Sequence, residues 1–299
     1  MTTIDTANAP LAAATALPAP TTANATTTVT DGVVARAVSR PAGTMLIDHV
    51  LELRSARRGR SSLARAFGIS PLSADEEPWF VGAVGERAVG RQLARLSPEW
   101  TVLHSVPAPR SRGDIDHIVI GPGGMFTVNT KHHAGARLWV ADEYILVEGR
   151  RVPYARIAQS EARKAASLAG AALPPAVAVR PVLAIVGARH LRVRSRSRLV
   201  ETVDARDLRS WLESLPAVLD AATVARVALA VATGIDGSGR AGRSEEHAVS
   251  SARFDRLERE VTEAARCRGW WRLGGALGAI GIAWAAFAQL PEWLASQLG

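Results

Sequence analysis

Two short stretches hold residues whose types and spacing suit phosphate chemistry. The first is Gly113-Asp114-Ile115-Asp116-His117-Ile118-Val119-Ile120. The second, beyond Gly121-Pro122-Gly123-Gly124, is Met125-Phe126-Thr127-Val128-Asn129-Thr130-Lys131. On a strand, side chains alternate between faces. Asp114, Asp116, Ile118 and Ile120 then share one face, and Thr127, Asn129 and Lys131 share one face of the next strand. A tight glycine turn makes the two strands antiparallel neighbours, so Asp116 comes to lie beside the Asn129/Lys131 end. Phosphodiester hydrolysis needs an oxygen-ligated divalent ion, Mg²⁺ or Mn²⁺, to polarise the phosphate and activate water. Asp116 supplies a hard anionic ligand, the Asn129 amide oxygen a weaker one, and the Thr130 carbonyl a third. Lys131 could hold the attacking water or offset charge growing on the phosphate. Only Lys131 and Lys164 are lysines among 36 basic side chains. Lysine can shift its pKa where arginine cannot, so its use at this point is informative. The same spacing also suits an ordinary Asp116–Lys131 cross-strand ion pair.

The elements that must position these groups follow from periodicity. Val84 to Leu96 carries Val84, Ala88, Val89, Leu93 and Leu96 on one side and predicts a helix. Strands are predicted over 100–106, 114–120 and 125–131, with a hairpin over 136–140 and 144–147. A helix over 153–171 opens on Pro153. Apolar runs at 182–186 and 199–203 predict further strands. Asp204 caps a helix through Leu215, and 221–232 is one more. The fold class is α/β, a mixed central sheet flanked by helices.

Three blocks resemble the nuclease-related domain family: Gly85-Glu86-Arg87-Ala88-Val89-Gly90, Asp114 through Gly124, and Phe126-Thr127-Val128-Asn129-Thr130-Lys131. That family is similar to the PD-(D/E)XK nucleases, which implies a restriction-endonuclease-like core, DNA as partner and Mg²⁺ (or Mn²⁺) as cofactor. The resemblance puts Glu86 at the acidic residue of the first core helix, Asp116 at the metal-binding aspartate and Lys131 at the catalytic lysine. Asn129 stands where the pattern has Glu or Asp. A neutral amide is a poorer Mg²⁺ ligand, so either Asp114 compensates or the domain binds nucleic acid without cutting it. His117, His132, Gln159 and Lys164 are further candidates for the site, and His133 lies beside them. Arg110 and Arg112 are candidates for holding the DNA backbone. Many nucleases of this fold pair up, so a homodimer is a further expectation.

The rest of the 299-residue chain divides by composition. Residues 1–42 are rich in Thr, Ala and Pro and read as a disordered tail, with prolines that spoil a signal peptide. Residues 43–78 read as an amphipathic stretch and basic linker. The α/β domain is expected over 79–233, a flexible linker over 234–249 and a juxtamembrane helix over 250–268. A transmembrane helix is expected over 269–290, followed by a short tail over 291–299. Leu273 to Ala288 lacks charge, tryptophans stand near both ends, and Arg266, Arg268 and Arg272 flank one side. The positive-inside rule then puts a single-pass protein in the cytoplasmic membrane with its large domain in the cytoplasm. A net charge of +8 suits phosphate-rich partners and equally an anionic membrane face. One cysteine, Cys267, excludes an internal disulfide and any Cys/His zinc spacing.

Overall fold

The computed structural model describes residues 34–298, apart from residues 36, 56–58, 109–112, 142–143, 196, 198 and 237–243; beyond residue 285 only the helical backbone is described. The helices in chain order are α1 (Thr44–Ser55), α2 (Ser62–Ala66), α3 (Glu77–Leu93), α4 (Tyr154–Ala169), α5 (Leu208–Glu213), α6 (Ala221–Asp236) and α7 (Ser244–Leu298). The strands are β1 (Thr101–Pro107), β2 (Asp114–Gly121), β3 (Gly124–His132), β4 (Arg137–Ala141), β5 (Tyr144–Val147), β6 (Arg150–Val152), β7 (Arg180–Val186), β8 (His190–Val193) and β9 (Glu201–Asp204).

The expected mixed sheet is present, in the order β1-β2-β3-β7-β9. Its first three strands are antiparallel, and β3, β7 and β9 run parallel. Helix α4 lies within the crossover from β3 to β7, as a parallel pairing requires. Val182, Leu183, Ala184 and Ile185 are buried on both faces, which accounts for the unbroken apolar run in β7. One face packs Ile118, Ile120 and Met125 against Ala165 and Ala169 of α4 and Val227 and Val231 of α6. The other packs Val119, Phe126 and Val128 against Val89 and Leu93 of α3 and Leu208 and Leu212 of α5. The β2–β3 turn is held tight by Gly121, where a Cβ would sit 2.3 Å from the Trp100 ring.

The expected hairpin is part of a second sheet, in the order β6-β5-β4-β8. Its inner residues Leu138, Val140 and Ile145 cover Ala158 of α4 and Leu183 and Ile185 of β7. Strand β6 is too short for a period to show, and the parallel β4–β8 pairing joins segments far apart in sequence.

The helix expected to open at Asp204 starts later, at Leu208. Asp204 instead ends β9 and pairs with Arg206. Helix α1 is packed in place: Ile47 and Val50 join Phe80 and Ala83 of α3 and Phe254 and Leu257 of α7 in one buried cluster. Arg87 of α3 is clamped by Asp255 and Glu258 of α7.

The expected transmembrane helix is not supported. Among the described residues, no helix is long and apolar enough to cross a membrane. Helix α7 does run unbroken through 269–290, but charges persist to Arg272 and side chains are described only to residue 285.

Phe254 is fully buried between α1 and α3. Phe254→Ala is expected to weaken this layer by about 3–5 kcal/mol. Hydrogen exchange checks this: amides of Thr44–Ser55 should lose protection, whereas unchanged protection there would show that α7 does not hold α1.

Candidate functional site

The site lies where β2 and β3 part. Their pairing runs from Gly121↔Gly124 to His117↔Val128 and stops, although both strands continue. Thr130 is thus left without a backbone partner on β2, and its N–H donates to the Asp116 carboxylate at 2.6 Å. The N–H and C=O of one strand residue point to the same edge, so the Thr130 carbonyl faces the same gap. Opposite Asp116 in the register of β1, Ser105 has φ 45°, a left-handed conformation uncommon for a residue with a side chain. Its hydroxyl accepts from the Thr44 N–H at 3.0 Å, which fixes the chain entering α1 beside the gap. Strict alternation fails at this break: Ile115 packs in the same cluster as Ile118 and Ile120.

Helix α4 supplies the feature that sequence reasoning missed. Asn129 donates from Nδ2 to both carboxylate oxygens of Glu161, at 2.8 and 3.0 Å. Glu161 is only 8% exposed and sits in the apolar stripe of Ala158, Ala162, Ala165 and Ala169. That spacing was the available signal, since a glutamate on the buried face of an amphipathic helix costs stability unless it has a partner. The carboxylate absent at position 129 is thus present in space, carried in from the helix.

Glu86 enters from α3 on the other side. It is buried, and its Oε2 has no hydrogen-bond partner; the same is true of Asn129 Oδ1. Buried acceptors without donors are rare in folded proteins and mark places where a donor or a cation belongs.

The four acids repel one another and are poorly solvated. Burial raises the Glu86 carboxyl well above its ordinary range, and the charges of Asp116 and Asp114 push it further; Lys131 and the Gly43 N–H oppose this. Burial and the Asp116 charge lift Glu161 to about 8, against the Asn129 amide, Lys131 and Lys164. Burial and Asp116 raise Asp114 to about 6, opposed by Arg40. Asp116 is raised by burial, with Lys131 and the Thr130 N–H pulling the other way. Such mutual destabilisation is what a cation relieves.

Lys131 does not form a close ion pair with Asp116. Its Nζ lies 5.3 Å from the centre of the Tyr154 ring, at the start of α4. Its charge nevertheless reaches Asp116, Glu86 and Glu161. The Asp116 carboxylate is committed to the Thr130 N–H, so the plain cross-strand pair is not what forms.

The remaining candidates divide. Asp114 is beside Asp116, and Lys164 acts on Glu161 from within α4. His117 belongs elsewhere: it is fully buried, its Nδ1 lies 2.8 Å from Nδ1 of His104, and its Nε2 is 3.3 Å from the Thr130 hydroxyl. Burial drives the pKa of His104 down to about 4 and that of His117 well below normal, so both are neutral. His132 turns away to α3, where its Nδ1–H donates to the Val81 carbonyl at 3.1 Å. Gly85 makes room for it, since a Cβ there would meet the His132 Cβ at 3.0 Å. His133 bonds the Tyr154 hydroxyl at 3.0 Å. Gln159 makes no hydrogen bond to the site among the described residues, and Arg110 and Arg112 lie outside them.

Among the described residues, no three His, Cys, Asp or Glu side chains converge as a ready metal cage. The donors are oxygens of mixed type, two of them orphaned acceptors, beside a gap lined by a backbone carbonyl. That set fits a hard divalent ion that keeps several of its waters and takes one or two carboxylates, as Mg²⁺ does, rather than zinc.

Fold and site together define a mixed α/β domain with an acid-rich cleft at a strand split. Residues 81–186, the segment that builds the cleft, match the family model of the nuclease-related domain. An uncharacterized protein of Bacillus anthracis is 44% identical over 62 residues, covering 19% of this chain and 29% of the relative. The chain thus spans less than a third of the length of that curated relative. No solved structure matches.

Folded-state pKa values above the unfolded ones mean that the native protein holds extra protons, and stability falls as pH rises through that window. For Glu161 the window runs from its ordinary 4.5 to about 8. Without metal, Glu161→Gln should therefore raise Tm at pH 8 and change it little at pH 5, by about 2–4 °C per kcal/mol recovered. Calorimetric melts at both pH values check this; equal shifts at both would mean that Glu161 is not protonated in the fold.

Proposed function

We propose that this protein is a metal-dependent nuclease acting on DNA, with a restriction-endonuclease-like core. The observation that carries the reading is that Glu161 restores, through Asn129, the carboxylate that the second strand lacks. A bound Mg²⁺ or Mn²⁺ would supply Lewis acidity at the phosphate and an activated water. Asp116, the Thr130 carbonyl and either Asn129 Oδ1 or Glu161 would hold it. Glu86 would fix its waters from α3. Lys131, held over Tyr154 with its charge acting on Asp116, would offset charge on the phosphate oxygens. Asp114 and Lys164 tune the site's charge from its rim.

A second reading is favoured by one feature. The β3 position where the resemblance expects a carboxylate is the neutral Asn129, so the domain would bind nucleic acid or a partner protein without cutting. Salt-sensitive DNA binding that persists without metal, together with no cleavage, would establish it.

The nuclease reading expects Mg²⁺- or Mn²⁺-dependent cleavage of DNA by the purified chain. Asp116→Ala, Lys131→Ala and Glu161→Gln should each lower the rate at least about a hundredfold. Full activity in Glu161→Gln would remove the helix carboxylate from the mechanism; no cleavage of any DNA form by wild type would end the reading.

We also propose that the end of α7 tethers this activity to the inner face of the cytoplasmic membrane. Trp270, Trp271, Leu273, Leu277, Ile280, Ile282 and Trp284 are all exposed, and Arg266, Arg268 and Arg272 precede or interleave with them. That is a large apolar surface with a basic rim, suited to an anionic bilayer. Wild type should float with phosphatidylglycerol-containing vesicles, and Ile280→Asp with Ile282→Asp should not, since each charge costs about 2.5–3.5 kcal/mol in the apolar layer. Wild type left in the soluble fraction would rule the tether out.

A further inference from the structure

The second sheet has an outer face that neither the cleft nor the core uses. Leu138, Val140 and Ile145 point inward and are buried. The alternate positions therefore face solvent. In register across the four strands these are Arg151, Leu146, Trp139 and Arg192, with Tyr144 opposite Ala141 at one side. Trp139 is 36% exposed and Tyr144 42%. Two guanidiniums flank the Trp139 ring, Arg192 at 5.6 Å and Arg194 at 5.3 Å from its centre. Arg151 lies 5.4 Å from the centre of the Tyr144 ring. Among the described residues no carboxylate pairs with any of these three arginines, whereas Arg137 at the same sheet's edge is taken by Glu148.

We propose that this face is a binding platform for single-stranded nucleic acid. Trp139 and Tyr144 stack with bases, and Arg151, Arg192 and Arg194 hold phosphates or extend the stack with their planar cations. Exposed aromatic rings interleaved with unpaired arginines on an open sheet provide the two interactions that a single strand needs, stacking and backbone neutralisation. A duplex could use only the charges, because its bases face each other. Arg151, Arg192 and Arg194, with no carboxylate pairing among the described residues, favour a polyanion over a protein partner. The choice of nucleic acid rests on the nuclease reading, but the geometry of the platform does not.

The test is fluorescence anisotropy of the full chain with labelled oligothymidylate in EDTA, where no cleavage occurs. Wild type should bind the single strand more tightly than a duplex of equal length. Trp139→Ala should weaken single-strand binding about 5- to 150-fold, the loss expected for one stacked base, and Trp139→Phe should restore most of it. Arg192→Gln combined with Arg194→Gln should flatten the log–log salt dependence by about 1.4, about 0.7 for each phosphate no longer neutralised. The proposal is overturned by wild type that does not bind, by a Trp139→Ala variant of wild-type Tm that binds normally, or by equal losses on duplex and single strand. Should Trp139→Ala fail to fold, the arginine pair decides: unchanged affinity and slope overturn the proposal. Absence of metal-dependent cleavage with this binding intact would count against the hydrolase reading alone.

Discussion

The structure turns on one hydrogen bond, from the Thr130 N–H to the Asp116 carboxylate. It stands where the β2–β3 ladder stops and takes the place of the backbone bond the ladder would have made next. A charged acceptor there does two things. It satisfies a backbone group that would otherwise be buried without a partner, and it fixes a negative charge inside the domain. Everything around the gap responds to that charge. Glu86, Asp114 and Glu161 all have their pKa values raised in part by Asp116, and Lys131 offsets it without closing on it.

Holding several acids in one partly buried cleft is costly unless protons or a cation are shared among them. Without metal, protons serve. Glu161, titrating near 8, carries one at neutral pH, and its carboxyl oxygens rest on the Asn129 amide. Asn129 therefore has a role a carboxylate would not fill as well. An ionised aspartate or glutamate at that position has no N–H to donate to Glu161, whereas the amide donates through nitrogen and keeps an oxygen without a hydrogen-bond partner. The departure at position 129 and the buried glutamate at 161 read as one paired arrangement rather than as a loss.

Much of this was legible in the residues. The Asp116 strand, the glycine turn and the Asn129–Lys131 strand form where their residue pattern places them, and alternation gives out only at Ile115, beyond the end of the β2–β3 pairing. Glu161 is open to the same kind of reading, since it repeats with Ala158, Ala162 and Ala165 at helical spacing, but charged helix residues are exposed by default and that default hides it. His117 and His132 look like site residues by proximity in sequence. Alternation sends them to the α3 side, where His117 packs neutral against His104 and His132 bonds the Val81 carbonyl. Less legible was the second sheet. Its parallel β4–β8 pairing joins distant segments, and such pairings leave no local pattern. The docking of α1 and α7 on α3 was hidden for the same reason, although Arg87 with Asp255 and Glu258 shows how specific it is.

The central claim is that the gap at the strand split holds a divalent cation. A crystal of the protein soaked in Mn²⁺ and measured for anomalous scattering tests it most directly. The account predicts a peak within bonding distance of the Asp116 carboxylate, with the Thr130 carbonyl and Asn129 Oδ1 or Glu161 as neighbours. No peak, with the Lys131 ammonium bonded to Asp116 in its place, would contradict it.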